Sequence, residues 1–269
     1  MNPKREVTIT VCQLRSDEEG LATDWDRLRS HVAQHESDLV LLPEMPFYPW
    51  PFWQQSFSEE VWEASITAHM QWQERLAELP ATVVAGTQPV NGDGEQRYNR
   101  GFVWESPAET VTRPHTKRYL PDEAGFWEAS WYARGNGPFK PVPLQLPGAG
   151  EVSAGFLICT ELWFMQKARE YGQAGAHLLL TPRATEKRTV DKWLAAGRTA
   201  AIIAGAFSLS SNHFGHDDIP VSLGGLGWVI GPDGEVLALT TPTRPFATVH
   251  IDLAQAERAK HTYPRYVEE

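Results

Sequence analysis

The run Gly155-Phe156-Leu157-Ile158-Cys159-Thr160-Glu161 is an apolar segment of strand length that stops at a thiol. A helix-like pattern over 161–174 starts at once behind it. Strand followed directly by helix is the unit of an α/β sheet, where side chains beyond the carboxyl ends of the strands meet ligands. The free N–H groups at a helix start would favour a thiolate or an oxyanion at that point. Read alone, Cys159 is either a nucleophile or a small buried hydrophobe, the commoner fate of a single cysteine.

Working outward, Asp38-Leu39-Val40-Leu41-Leu42-Pro43-Glu44 repeats the arrangement with a carboxylate in place of the thiol. An acid directly beyond a buried strand is costly unless it is paired or serves as a base. Arg113-Pro114-His115-Thr116-Lys117-Arg118-Tyr119-Leu120 puts Lys117 at the end of a β run, where a lysine is ordinarily a solvated charge. Periodicity predicts strands over 7–13, 38–42, 82–87, 98–105, 111–118, 152–159, 177–181, 204–210, 226–231, 235–240 and 246–252. It predicts helices over 24–34, 59–79 (with Ser58 as N-cap), 161–174 and 190–203. Two cycles of strand–helix–strand, each followed by hairpins, predict two helix-covered sheets packed face to face in one α/β sandwich. The whole chain, 1–269, is read as one domain.

With 269 residues, 42% of them hydrophobic, the chain has material for a large core. A formal net charge of -10 argues against non-specific binding to nucleic acid or an anionic membrane. The longest apolar stretch, 194–209, is broken by Gly197, Arg198 and Gly205, so no membrane span is expected. The start, Met1-Asn2-Pro3-Lys4-Arg5-Glu6, runs into a strand pattern without an apolar signal core, and the location expected is cytoplasmic. Two cysteines make no disulfide framework; Cys12, inside the first strand, is read as core. His31 and His35 lack the glutamate of a zinc-protease motif. His213, His216 and Asp217 have no clear further ligands nearby, and no metal or cofactor is expected.

Glu44, Lys117 and Cys159, in that order, resemble the nitrilase superfamily of carbon–nitrogen hydrolases. The resemblance runs from about Val7 to Asp252. It rests on Val11-Cys12-Gln13, Leu41-Leu42-Pro43-Glu44, His115-Thr116-Lys117, the run ending in Cys159-Thr160-Glu161, Gly224-Gly225 and the hairpin Gly231-Pro232-Asp233-Gly234-Glu235-Val236. The segment Tyr119-Leu120-Pro121-Asp122-Glu123-Ala124-Gly125-Phe126-Trp127-Glu128 looks like the loop that carries a second glutamate in the amidase-like branches, including N-carbamoylputrescine amidase-like ones. The resemblance implies a four-layer α-β-β-α sandwich, Cys159 as nucleophile, Glu44 as general base and acid, Lys117 as oxyanion stabiliser, and Glu128 beside them. It also implies a homodimer or higher homo-oligomer, with the tail 253–269 at a subunit interface.

The chemistry needs these residue types. An unactivated thiol is mostly protonated near neutral pH, so a base must take its proton during attack. The oxyanion then needs a cation or N–H donors, here Lys117 and the N–H of Thr160. Thr160 is itself a departure, since relatives often carry a large aromatic there. Arg183 stands where relatives often have small residues. It is read either as a bidentate partner for a substrate carboxylate or as a structural partner of Glu161 or Glu186. Tyr48, Trp127 and Trp163 are candidate pocket walls, with core or interface packing as the alternative. The activity expected is hydrolysis of an aliphatic amide, ω-amide or N-carbamoyl compound to acid and ammonia. Nitrile hydrolysis and amine-resolved acyl transfer use the same residues, and a non-catalytic binding protein is the remote alternative.

Overall fold

The computed structural model describes residues 5–106, 108–215 and 221–267. The first strand, β1 (Glu6–Leu14), is buried on both faces from Val7 onward. Val7, Ile9 and Val11 enter one core; Cys12 and Leu14 enter another. A strand of this kind needs cover on both sides. Leu21, Trp25, Leu28 and Val32, a stripe at helical spacing on α1 (Glu18–His35), cover the Cys12 face. The Cys12 thiol donates to the carbonyl of Leu41 at 3.3 Å, and burial pushes its pKa up, as expected of a core cysteine.

β2 (Leu39–Leu41) runs parallel to β1. After α2 (Glu59–Glu74), β3 (Val83–Asn91) runs parallel to β2. β4 (Arg97–Glu105) and β5 (Thr110–Thr116) extend that edge antiparallel. A one-turn helix, α3 (Glu128–Trp131), leads into the second half. There β6 (Val142–Leu146) pairs antiparallel with β7 (Gly150–Phe156). Past α4 (Met165–Gln173) comes β8 (Leu178–Arg183), and past α5 (Val190–Ala204) comes β9 (Phe207–Gly215); β7, β8 and β9 are parallel. The short β10 (Leu223–Gly224), then β11 (Trp228–Ile230) and β12 (Val236–Leu239), close the far side. β13 (Phe246–Asp252) returns antiparallel to β1, and α6 (Ala254–Ala259) follows.

The two halves meet face to face. Val83, Ala85 and Val103 share a core with Val152, Ala154 and Phe156, and a Cβ on Gly101 would lie 2.9 Å from the Phe156 ring. They also join through hydrogen bonds where Gln13 pairs with Asn212 and Leu14 with His213. Helix, sheet, sheet and helix thus form the four-layer α/β sandwich expected.

Several boundaries differ from the periodicity. α1 starts at Glu18 because Asp17 caps it, accepting from the Gly20 N–H at 2.7 Å; the polar first turn hid this start. Ser58 does cap α2, but the helix ends at Glu74 and a short 3-10 turn, Leu76–Glu78, completes the segment. α5 runs to Ala204 and closes on left-handed Gly205 (φ 59°), so β9 begins only at Phe207. β6, β10, α3 and α6 had no clear periodic signal. The tail folds onto its own chain: Lys260 Nζ donates to the carbonyls of Ala176 and Gly205, and Arg265 pairs with Asp233, while Tyr263 and Tyr266 stay exposed. No helix among the described residues is long and apolar enough to cross a membrane.

Gly155, in the strand that delivers Cys159, allows Tyr171 of α4 to lie against the sheet. A Cβ there would sit 2.6–2.7 Å from three ring positions, and the Tyr171 hydroxyl donates to the carbonyl of Phe156 at 3.0 Å. Gly155→Ala should destabilise the chain by about 1–3 kcal/mol. A urea midpoint unchanged from wild type would contradict that packing.

Candidate active site

Three strand ends and one loop build the site. β7 ends at Phe156, and Leu157 stays in register by donating to the carbonyl of Leu180 at 2.9 Å. Two residues on, Cys159 takes a left-handed backbone (φ 48°) and is 4% exposed. That conformation costs a residue with a Cβ about 1–2 kcal/mol, so the surroundings must hold it there. Glu161 does so. Its carboxylate is fully buried and accepts from the Ile158 N–H at 2.9 Å, the Arg118 N–H at 2.7 Å and His115 Nε2 at 2.8 Å. One side chain therefore fastens the Cys159 turn to the segment after β5.

Lys117 lies between His115 and Arg118, the two residues Glu161 holds. Its N–H donates to the carbonyl of Asn99 on β4 at 2.9 Å. Its ammonium is fully buried and donates to Glu44 Oε1 at 2.8 Å and to Glu128 Oε1 and Oε2 at 2.8 and 2.6 Å. Burial opposes its charge, but Glu128 and Glu44 outweigh burial and hold its pKa above the ordinary lysine value.

Glu44 follows β2. His213 Nε2 lies 2.7 Å from its carbonyl, and Asn99 Nδ2 donates to its Oε1 at 2.7 Å. Its Oε2 is buried with no hydrogen-bond partner among the described residues. Glu128 opens α3; burial and then Glu44 push its carboxyl above the usual range despite Lys117. Burial pushes the Cys159 thiol up as well, and Glu44 adds to this; Lys117 and a contact to the Ala184 backbone oppose it. The resting side chain of Cys159 is thus the neutral thiol. Ligating atoms of Glu44, Glu128 and Cys159 lie within 4.8 Å of one another. The Lys117 ammonium, bonded to both carboxylates, already supplies the positive charge there.

Cys159 and Glu128 face a cleft of about 820 Å³ walled by Tyr119, Phe126, Tyr132, Thr160, Trp163, Phe164 and Trp193. Of the expected pocket residues, Thr160 and Trp163 line it; Tyr48 and Trp127 are half-buried and do not. Arg183 corrects the carboxylate-binding expectation, and it pairs with neither Glu161 nor Glu186. It is fully buried, donates to Ser210 Oγ, Thr185 Oγ1 and the carbonyl of Leu226, and lies 4.0 Å over the Trp228 ring. Burial without a bonded carboxylate lowers its pKa to about 9. Nor does an α-helix start at Cys159. Residues Cys159–Trp163 form a 3-10 turn, Phe164 breaks direction, and α4 begins only at Met165. The expected 161–174 helix is therefore shortened to 165–173, and its N-terminus does not sit at the thiol. Sequence reasoning assigned nothing to Asn99, Tyr132 and Trp193. Asn99 reaches Glu44 only because β4 is registered beside Lys117, a long-range pairing without local signature. His216 and Asp217 lie outside the described residues.

A family model described as "Carbon-nitrogen hydrolase" matches residues 8–261. The chain is 26% identical over 276 residues to "Omega-amidase, chloroplastic" of Arabidopsis thaliana, covering 97% of this chain and 72% of that protein. A carbon–nitrogen hydrolase from Helicobacter pylori G27 superposes with a TM-score of 0.82 at 20% identity, covering 97% and 94% of the two chains. A mutant amidase from Nesterenkonia sp. AN1, showing covalent addition of the acetamide moiety of fluoroacetamide at its active-site cysteine, superposes with a TM-score of 0.72 at 18% identity, covering 96% and 94%.

Replacing Glu161 by alanine would leave the Ile158 and Arg118 N–H groups and His115 without their buried acceptor. Each unsatisfied group costs about 1–3 kcal/mol, so Glu161→Ala should lose several kcal/mol in denaturant unfolding. Glu161→Gln, which keeps one oxygen, should lose less. Equal stability of the two variants would contradict the bracing role.

Proposed function

The chain belongs to the carbon–nitrogen hydrolase family, and from that premise we propose that it hydrolyses the C–N bond of a small amide (aliphatic amide, ω-amide or N-carbamoyl compound) to acid and ammonia. The observation that carries the proposal is the shared ammonium. Lys117 bonds Glu44 and Glu128, the second oxygen of Glu44 has no hydrogen-bond partner among the described residues, and a carboxylate oxygen of Glu44 lies within 4.8 Å of the Cys159 thiol. An unpaired carboxylate oxygen beside a neutral thiol is placed to accept its proton.

In the proposed reaction Glu44 takes that proton as sulfur attacks the amide carbon. The oxyanion is held by the Lys117 ammonium and the Thr160 N–H. Glu44 then gives the proton to the leaving nitrogen, the C–N bond breaks, and ammonia departs from a thioester on Cys159. Glu44 next takes a proton from water as the hydroxide oxygen attacks the thioester. Collapse of the second tetrahedral species expels the thiolate, which recovers the proton, and releases the acid. Glu128 keeps Lys117 charged and aimed. Every proton is accounted for without a cofactor. The amidase names among the relatives support amide over nitrile, as does the cysteine adduct of the Nesterenkonia amidase.

Ammonia release and intact mass test the assignment. Wild type mixed with butyramide should release ammonia and accumulate a butyryl adduct on Cys159. Cys159→Ala should abolish both, and Glu44→Gln should slow acylation by about 10²–10⁴-fold. Turnover that survives Cys159→Ala would overturn the proposal.

A further inference from the structure

The wall of the cleft points to a substrate class. Trp163 and Phe164, in the turn leaving Cys159, are 45% and 41% exposed. Large aromatic side chains left open beside a reactive group form a surface for a ligand. Both are already oriented by partners. Phe164 stacks on Tyr119 with centroids 3.5 Å apart and planes 8° from parallel. Trp163 leans on Trp193 of α5 at 4.9 Å and 57°. Both pairs line the same cleft as Cys159.

The same cleft offers no committed site for a substrate carboxylate. Lys117 is bound to Glu44 and Glu128. The Arg118 guanidinium donates to the carbonyls of Gly135, Asn136 and Gly137. Arg183 is sealed in the core. The remaining cations, Arg134 and Lys192, are exposed, and Asp122, Glu123 and Glu186 line the cleft with them. An anion in the cleft would meet these acids and the carboxylates at its floor.

We infer that the site takes the amide of an aromatic acyl group, with the ring between or against the Trp163–Trp193 and Tyr119–Phe164 pairs, and disfavours an amide that carries a carboxylate. This rests on the amide reading and departs from what the name of the Arabidopsis ω-amidase would suggest for this chain. Stacking on such rings favours a flat apolar group over an aliphatic one.

Titration calorimetry on the Cys159→Ala protein tests it with three amides: phenylacetamide, butyramide and succinamate. Phenylacetamide should bind about 10-fold tighter than butyramide or better, and succinamate should bind most weakly. Adding Trp163→Ala should erase the ring's advantage over butyramide, and Trp163→Phe should restore part of it. Succinamate binding tightest, or a ring advantage indifferent to Trp163→Ala, would overturn the inference. Intact mass of the wild type with each of the three amides separates the two ideas. A butyryl adduct without ring preference sinks only the aromatic inference. Ring preference with no acylation by any of the amides sinks the amide reading and leaves an aromatic binding site.

Discussion

A buried ammonium between two buried carboxylates is the constraint on which the site depends. Moving an ammonium out of water is costly, and the effective penalty is several kcal/mol even after relaxation. Lys117 meets that cost only because Glu44 and Glu128 both reach it at 2.6–2.8 Å. The carboxylates come from distant parts of the chain, one beyond β2 and one at α3. The fold must therefore deliver three segments to one point within hydrogen-bond tolerance. The ends of β2 and β5 and the start of α3 meet there, and β4 adds a check. Asn99 fixes both the backbone of Lys117 and the carboxylate of Glu44.

Glu161 applies the same logic one layer out. It is a buried carboxylate whose partners are two backbone N–H groups and a histidine, and its hydrogen bonds fix geometry. Its effect is to tie the strained backbone at Cys159 to the residues flanking Lys117. Thiol and ammonium are then positioned by one rigid link, rather than by two independent loops. Catalytic groups held this way need little reorganisation during reaction.

What was readable in the sequence divides along the range of the interactions. Strand cores are local, and they showed in the apolar runs, although the run that reads as a strand to Cys159 leaves the sheet at Phe156. Glu44, Lys117, Glu128 and Cys159 were grouped by family resemblance, and the structure brings their side chains together. Interactions that depend on register did not show. Asn99 in β4 carries no local mark of its neighbour after β5. Arg183 read either as a pocket cation or as a structural partner of Glu161 or Glu186, because a strand-end arginine normally seeks water or an anion. Its burial under Trp228 became visible only with β9 and the turn before β11 in place. The 161–174 segment read as one helix because its composition is helical. The side chain of Glu161 turns back to the Ile158 N–H and diverts the first turn into a 3-10 form.

One ammonium serving two carboxylates also leaves the floor of the cleft with surplus negative charge. Burial, and then the charge of Glu44, pushes both the Cys159 thiol and the Glu128 carboxyl toward their protonated forms. In the proposed reaction this imbalance becomes useful. When Glu44 accepts the thiol proton it is neutralised, and Lys117 loses one of its anionic partners as the oxyanion forms on the substrate. The ammonium can then shift its bonding from carboxylate to oxyanion with no net change in buried charge. Stabilisation is thus greater for the tetrahedral state than for the bound amide, which is the condition for rate acceleration. The same surplus disfavours any substrate that brings a negative charge to the cleft floor. A neutral amide with a flat apolar body is therefore matched twice, by the charge at the floor and by the rings at the wall.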